Sequence, residues 1–126
     1  MGSRAACRAR GDVKAGVPER GDILRVRLDP TIGPEQAGTR PVLVLTQHEF
    51  NRRGLAFVCP VTQGGEYARD AGFAVSLSGA GTDTQGVALC HQARSIAWKA
   101  RSARFLERAP EAVIADVLAR VAALIE

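Results

Sequence analysis

The chain has 126 residues, 46% of them hydrophobic and 24% charged, which fits one ordinary domain and leaves little room for two. No uninterrupted apolar run exceeds six residues, well short of the ~20 that a membrane-spanning helix needs, so a helical membrane protein is excluded. The net charge of +4 is concentrated at the start: Arg4, Arg8, Arg10, Lys14 and Arg20 face only Asp12 and Glu19 within residues 1–20, leaving +1 for the rest. Bulk charge therefore says little about nucleic acid, and only local clusters of cations bear on it.

In chain order, the basic start runs into Gly11-Asp-Val-Lys-Ala-Gly16 instead of an apolar stretch, so no secretory signal is expected and a cytoplasmic location is. Residues 1–20 show no apolar periodicity and read as a disordered basic tail, with the folded domain over 21–126. From Gly21 the chain becomes short β-rich runs. In Ile23–Leu28 the residues Leu24, Val26 and Leu28 alternate with Arg25 and Arg27, the pattern of a half-buried strand. Val42–Leu45 and Leu55–Cys59 are continuous apolar runs and predict central strands buried on both faces. Phe73–Leu77, Gly86–Cys90 and Ala93–Trp98 complete a mainly β, barrel-like core of five to seven short strands.

Two helical signals interrupt the strands. Thr46-Gln-His-Glu49 has the form of a capping box, with Thr46 as N-cap of a single turn running through Phe50. Val113, Ile114, Val117, Leu118, Val121, Leu124 and Ile125 recur at helical spacing and predict a final helix of about 16 residues, with Pro110 at its first position. Cys7, Cys59 and Cys90 form no C-x-x-C pair, which argues against a disulfide framework or a zinc site; Cys59 and Cys90 read as buried strand positions.

The 12-residue segment from Asp29 to Arg40 is long for a hairpin loop, and long loops in small domains tend to carry function. Arg40 precedes Pro41 at the foot of a buried strand, a stiff base for a guanidinium that can clamp phosphate; an ordinary surface ion pair with Glu35 explains the same spacing. Thr62 stands at a strand exit beside Gly64-Gly65, either to meet an anion or simply to make a turn. His91 lies where one strand gives way to the next, suited to proton transfer or to a structural role, while His48 reads as solvated. Lys99, Arg101, Arg104 and Arg108 form one basic run around Trp98 and Phe105, either a base-stacking surface or a solvated face over core aromatics. Arg52-Arg53 adds a smaller basic point.

These residues together carry a family resemblance. Gly21-Asp-Ile, Asp29-Pro-Thr, Gly33-Pro-Glu-Gln-Ala-Gly-Thr-Arg-Pro-Val-Leu-Val44, Phe50-Asn, Cys59-Pro-Val-Thr62, Gly72-Phe-Ala-Val-Ser-Leu77, Gly86-Val and Gln92 to Arg101 resemble the MazF/PemK/Kid family of toxin–antitoxin ribonucleases, in order to Glu126. The resemblance implies a CcdB/PemK-like (SH3-like) barrel with a short helical turn and a C-terminal α-helix, acting as a homodimer. It implies metal-independent, sequence-specific cleavage of single-stranded RNA without a cofactor, and neutralisation by a cognate MazE/PemI-like antitoxin through an acidic C-terminal segment.

On the matching positions, Arg40 and Thr62 carry catalysis, with Glu35 as the acidic loop residue and His91 where the family has an Asp. Gln36, Thr39, Arg52, Gln63, Gln92, Arg94, Lys99 and Arg101 are the RNA-binding candidates. Pro34, Leu89 and His91 depart from the Kid-like acid–base set, which keeps open a catalytically weakened RNA-binding paralogue, and because one fold can carry several functions a CcdB-type gyrase poison is the other reading.

Overall fold

The structure, a computed structural model, describes residues 16–28, 38–63 and 72–126. Seven strands appear among these: β1 (Asp22–Arg27), β2 (Thr39–Val44), β3 (Leu55–Thr62), β4 (Ala74–Ser76), β5 (Val87–Leu89), β6 (Arg94–Ala97) and β7 (Arg104–Arg108). A single turn of helix, α1 (His48–Asn51), precedes β3, a 3-10 turn (Cys90–Gln92) follows β5, and α2 (Glu111–Ile125) closes the chain. Every pairing is antiparallel, in the order β4-β5-β3-β2-β1-β7, with β6 also on β3. The consecutive strands β6 and β7 thus flank the two ends of the path β6-β3-β2-β1-β7, and the sheet curls on itself as the turn between them closes the circuit.

Alternation along the strands sorts side chains into two cores. Leu24 and Val26 of β1, Val42 and Val44 of β2, Ala56 and Val58 of β3 and Ile96 of β6 pack inside the curl with Leu28, Trp98 and Ala103. Ile23, Leu43, Leu45, Cys59 and Val61 point the other way, under the β4–β5 hairpin and α2. The expected two-faced burial holds for β2 from Val42 and for β3 from Val58, but not for the start of β3, where Leu55 is 47% exposed and Phe57 half-buried. Arg25 and Arg27 are exposed between buried neighbours in β1, as expected. Helix α2 buries Val113, Ile114, Val117 and Val121. At roughly 1.5–3 kcal/mol per buried aliphatic side chain, those four outweigh the cost of nucleating one short helix, so α2 forms without a side-chain cap. Its last residues, Leu124 and Ile125, remain exposed instead of extending the buried stripe.

Three sequence expectations are corrected. Thr46 does not cap α1, whose N-cap is Gln47 with no side-chain hydrogen bond. Its hydroxyl instead donates to Asn51 Oδ1 at 2.6 Å and accepts from the Phe57 amide at 3.0 Å, partners that outcompete the local cap. The basic run is not one solvated face: Arg104–Arg108 is an edge strand on β1, and Trp98, 3% exposed, spends its indole N–H on the Asn51 carbonyl at 2.8 Å. Trp98 is therefore no base-stacking platform, and Phe105 is half-buried against the same core. Pro110 stands one position before α2, in extended conformation.

Asn51, fully buried, ties four segments together. Its amide donates to the Pro18 carbonyl at 2.9 Å and the Thr46 carbonyl at 2.8 Å, while its oxygens accept from Thr46 and Trp98. Of the segment read as tail, residues 1–15 lie outside the described residues; Pro18 and Arg20, whose Nε donates to the Leu45 carbonyl at 2.7 Å, bond to the barrel. No helix among the described residues is long and apolar enough to cross a membrane.

Glu107 anchors the β4–β5 connection by accepting from the amides of Asp83 (3.1 Å) and Thr84 (2.7 Å). Burial raises its carboxyl, but hydrogen bonds from Thr84 and Asp83 together outweigh that and hold it below the usual range. Its stabilising contribution is therefore present above the ordinary carboxyl range and lost as pH falls through the lowered folded value. The melting-temperature gap between the native chain and Glu107→Gln will be widest near neutral pH and narrow in acid. Asn51→Ala, which orphans the Pro18 and Thr46 carbonyls, will cost about 2–4 kcal/mol in urea unfolding, at roughly 1 kcal/mol or more per buried group left unpaired.

Candidate functional site: an anion-receptive end of the barrel

The strands β2 and β3 pair over Val42–Val44 and Val58–Pro60, with Leu45 N–H still donating to the Phe57 carbonyl at 2.9 Å at one end but no pairing beyond Pro60 at the other. Pro41 and Pro60 have no N–H to give to a ladder. Beyond them, Thr39 and Arg40 stay with β1, opposite Arg27 and Val26, whereas Val61 and Thr62 turn to β5, opposite Ala88 and Val87. The opening between the two strands is lipped by Arg40 on one side and Thr62 on the other. By the two-residue period both lie on the face of Val42 and Val58, at the polar end of the inner core.

Arg94 belongs to the same face, because β6 pairs Arg94 directly with Val58. Its Nη1 is buried and has no hydrogen-bond partner. A buried cationic donor left unpaired costs more than a neutral one, about 1–3 kcal/mol or above, and an incoming anion would relieve it. Thr62 is 7% exposed, and its hydroxyl makes only a long 3.4 Å bond to the Gln63 carbonyl. Arg40 is half-buried and already engaged. Two guanidinium groups and a weakly engaged hydroxyl thus lie on one inner face of the sheet, Arg40 and Thr62 at its open end and Arg94 level with Val58, four residues along β3 from Thr62.

Other candidates distribute unevenly. Thr39 and Arg101 flank Arg27: Arg101 Nη1 donates to the Arg27 carbonyl at 3.0 Å, and Arg27 is the β1 partner of Thr39. Gln63 is exposed just past Thr62. His91 is exposed on the 3-10 turn after β5, its ring 5.3 Å from that of Phe73, with half-buried Gln92 beside it. Arg52 stands at the opposite end of β3 from Thr62, paired with Glu49 at 3.5 Å on the surface. Lys99 is exposed over Trp98, with its ammonium 5.8 Å from the ring centre. Arg52 and Lys99 are thus not gathered with Arg40 and Thr62. Glu35, Gln36 and Pro34 lie outside the described residues.

Sequence reasoning did not single out what holds Thr62 in place. Gly86 has φ +116, and a Cβ there would collide with the Thr62 carbonyl, so only glycine lets β5 approach so closely. Its position before a β-branched strand residue was the available signal. A cavity of about 280 Å³ lined by Glu19, Arg20, Gln47, His48, Arg108, Glu111 and Ile114 lies elsewhere, at the start of α2, and holds none of the predicted catalytic residues. Among the described residues no three His, Cys, Asp or Glu side chains gather as metal ligands.

A small curled antiparallel sheet with a helix across its back and an anion-receptive end defines the class. The sequence profile of the PemK-like, MazF-like toxins of type II toxin–antitoxin systems matches residues 19–125, and the chain belongs to that family. It is 54% identical to Endoribonuclease PemK of Escherichia coli over 108 residues, 85% of this chain and 81% of that protein. It is 44% identical to the endoribonuclease toxin ChpB of Escherichia coli strain K12 over 115 residues, 90% of this chain and 99% of that one. Its fold matches the crystal structure of MazF from Deinococcus radiodurans with a TM-score of 0.78 at 36% identity, covering 86% of this chain and 96% of that chain. A MazE–MazF complex from the same organism gives a TM-score of 0.74 at 35% identity, with 86% and 96% covered.

Gly86→Ala will displace Thr62 and destabilise the fold by about 2–3 kcal/mol, the scale of strain from a non-glycine residue forced to positive φ against a fixed carbonyl. Thermal unfolding measures the loss, and a shift in the Thr62 amide resonance reports the displacement.

Proposed function

We propose that this endoribonuclease toxin cuts single-stranded messenger RNA at short sequence motifs, without a metal, and so arrests translation and growth. The 2′-hydroxyl attacks the adjacent phosphate, the 5′-oxygen leaves, and the products carry a 2′,3′-cyclic phosphate and a 5′-hydroxyl. That route needs charge stabilised on the phosphorane and protons moved at two oxygens, and no cofactor. The observation that carries the reading is a set of donors on one inner face: Arg40 and Thr62 at the parted end of β2 and β3, and the unpaired buried nitrogen of Arg94 further along the same face.

Arg40 stabilises the charge and is a poor proton carrier, since guanidinium stays protonated in proteins. Thr62 holds a phosphate oxygen or the 2′-hydroxyl, and Arg94 takes a second phosphate oxygen. His91, exposed one element away, is the group here with chemistry suited to protonating the leaving oxygen, in place of the family's Asp. Glu35 serves as base or orients Arg40. Gln36, Thr39, Gln63, Gln92 and Arg101 border the strand's path, while Arg52 and Lys99 act as more distant phosphate contacts. The protein works as a cytoplasmic homodimer, and a MazE-like antitoxin covers the same cationic end with an acidic segment, a reading supported by the solved MazE–MazF assemblies of the Deinococcus protein.

Purified protein with a long unstructured RNA in EDTA will give discrete cuts with 5′-hydroxyl ends. Arg40→Ala and Thr62→Ala will each lower the rate more than tenfold with the fold intact by circular dichroism, and His91→Ala will reshape the pH–rate profile. Metal-dependent cutting, or full activity in both the Arg40 and Thr62 variants, contradicts the proposal. RNA bound but not cut points instead to a weakened paralogue.

A further inference from the structure

Two buried thiols have no part in the chemistry above. Cys59 lies on β3 and Cys90 follows β5 directly, 0% and 1% exposed. Cys59 stands two residues before Val61, the partner of Ala88, and Cys90 two residues after Ala88, where β5 passes into the 3-10 turn, so the ladder brings the two cysteines close to one another. Both belong to the core beneath α2, so both point to the same side of the sheet. A disulfide spans Cα separations of roughly 4.4–6.8 Å, the scale of neighbouring antiparallel segments.

The environment also divides their roles. Hydrogen bonding to Cys90 raises the Cys59 thiol, and burial raises it further. Hydrogen bonding from Cys59 lowers the Cys90 thiol, which burial opposes and the positive charge of Arg120 assists. The Arg120 charge favours a thiolate at Cys90, and burial keeps the Cys59 thiol protonated, a pairing suited to an attacking and a resolving cysteine.

We propose that Cys59 and Cys90 are an oxidation site at which a peroxide forms an intramolecular cross-strand disulfide, tying the strand that ends at Thr62 to the turn that carries His91 and Gln92. The Cys90 thiolate attacks one peroxide oxygen, the O–O bond breaks, and hydroxide leaves, giving a sulfenic acid. The Cys59 sulfur then displaces that hydroxyl while its proton goes to the departing oxygen. Two thiols and one hydrogen peroxide become one disulfide and two waters, each sulfur losing one electron. Burial of both sulfurs excludes bulky disulfide oxidants and favours a water-sized one reaching them through local opening. Thiol reductants reverse the bond, so in a reducing compartment it is transient. The inference stands independently of how the protein handles RNA.

The test uses the full chain with Cys7→Ser, so that the third thiol cannot compete. Native protein is treated with hydrogen peroxide and a chelator, denatured in N-ethylmaleimide, digested without reduction and mapped by mass spectrometry. The expected result is a peptide containing Cys59 linked to one containing Cys90 as the main product, in a chain of unchanged oligomeric state. A rise in melting temperature that dithiothreitol cancels will accompany it. In a second variant, Cys90→Ala with Cys7→Ser, Cys59 will stay alkylatable at the same peroxide dose. The proposal is overturned if both thiols remain alkylatable at a dose that oxidises a free-thiol control. Sulfinic acids without a cross-link, or links only between chains, overturn it equally.

Discussion

Pairing of β2 with β3 ends at Val42 and Pro60, because Pro41, the next residue of β2 to face β3, has no N–H to give, and on the other edge of β3 the partner changes there from β6 to β5. Everything at the cationic end follows from this change of partner. Before it, β3 is a central strand held on both sides by β2 and β6, with residues alternating into two cores. After it, Thr62 stands beside Gly86 with its hydroxyl nearly unspent, while Arg40 remains with β1 across the gap. A regular ladder would have closed that gap with main-chain bonds. Pro41 keeps it open at a point where both flanking strands are anchored in apolar core.

Rigidity behind the opening comes from elsewhere. Asn51 joins Pro18, Thr46 and Trp98 at the far end of β3, and Glu107 pins the connection before Gly86 from the edge strand β7. Each is a polar group whose partners lie distant in sequence, so each fixes one segment against another in a way that apolar contact alone does not specify. The donors at the site are consequently held before any anion arrives, which lowers the reorganisation that binding and charge stabilisation require.

The strands with clear patterning were legible in the sequence, because alternation in Ile23–Leu28 and the continuous apolar run at Val42 are direct imprints of one-faced and two-faced burial, whereas the run at Leu55 is buried on both faces only from Val58. Arg40 and Thr62 were singled out through their prolines and the family pattern, and the register sets them on one face. What was not legible depends on contacts that no local window holds. β7 was missed because Phe105 and Leu106 are adjacent, not alternating, and its ladder shifts register at Ile23/Leu24. Thr46 imitates a cap, but its hydroxyl is claimed by Asn51 and Phe57. The burial of the Arg94 nitrogen arises only when β6 folds onto β3.

The central claim is that Arg40, Thr62 and Arg94 receive one phosphate together. The most direct measurement is nuclear magnetic resonance of arginine side-chain N–H groups and the Thr62 amide during titration with an RNA strand whose 2′-hydroxyls are replaced by hydrogen, which binds and cannot be cut. The account predicts large, saturable shifts at Arg40, Arg94 and Thr62, at one common affinity and weakened by salt, with Arg52 little changed. Shifts centred on Arg52 and Lys99 with Arg94 and Thr62 silent would contradict it.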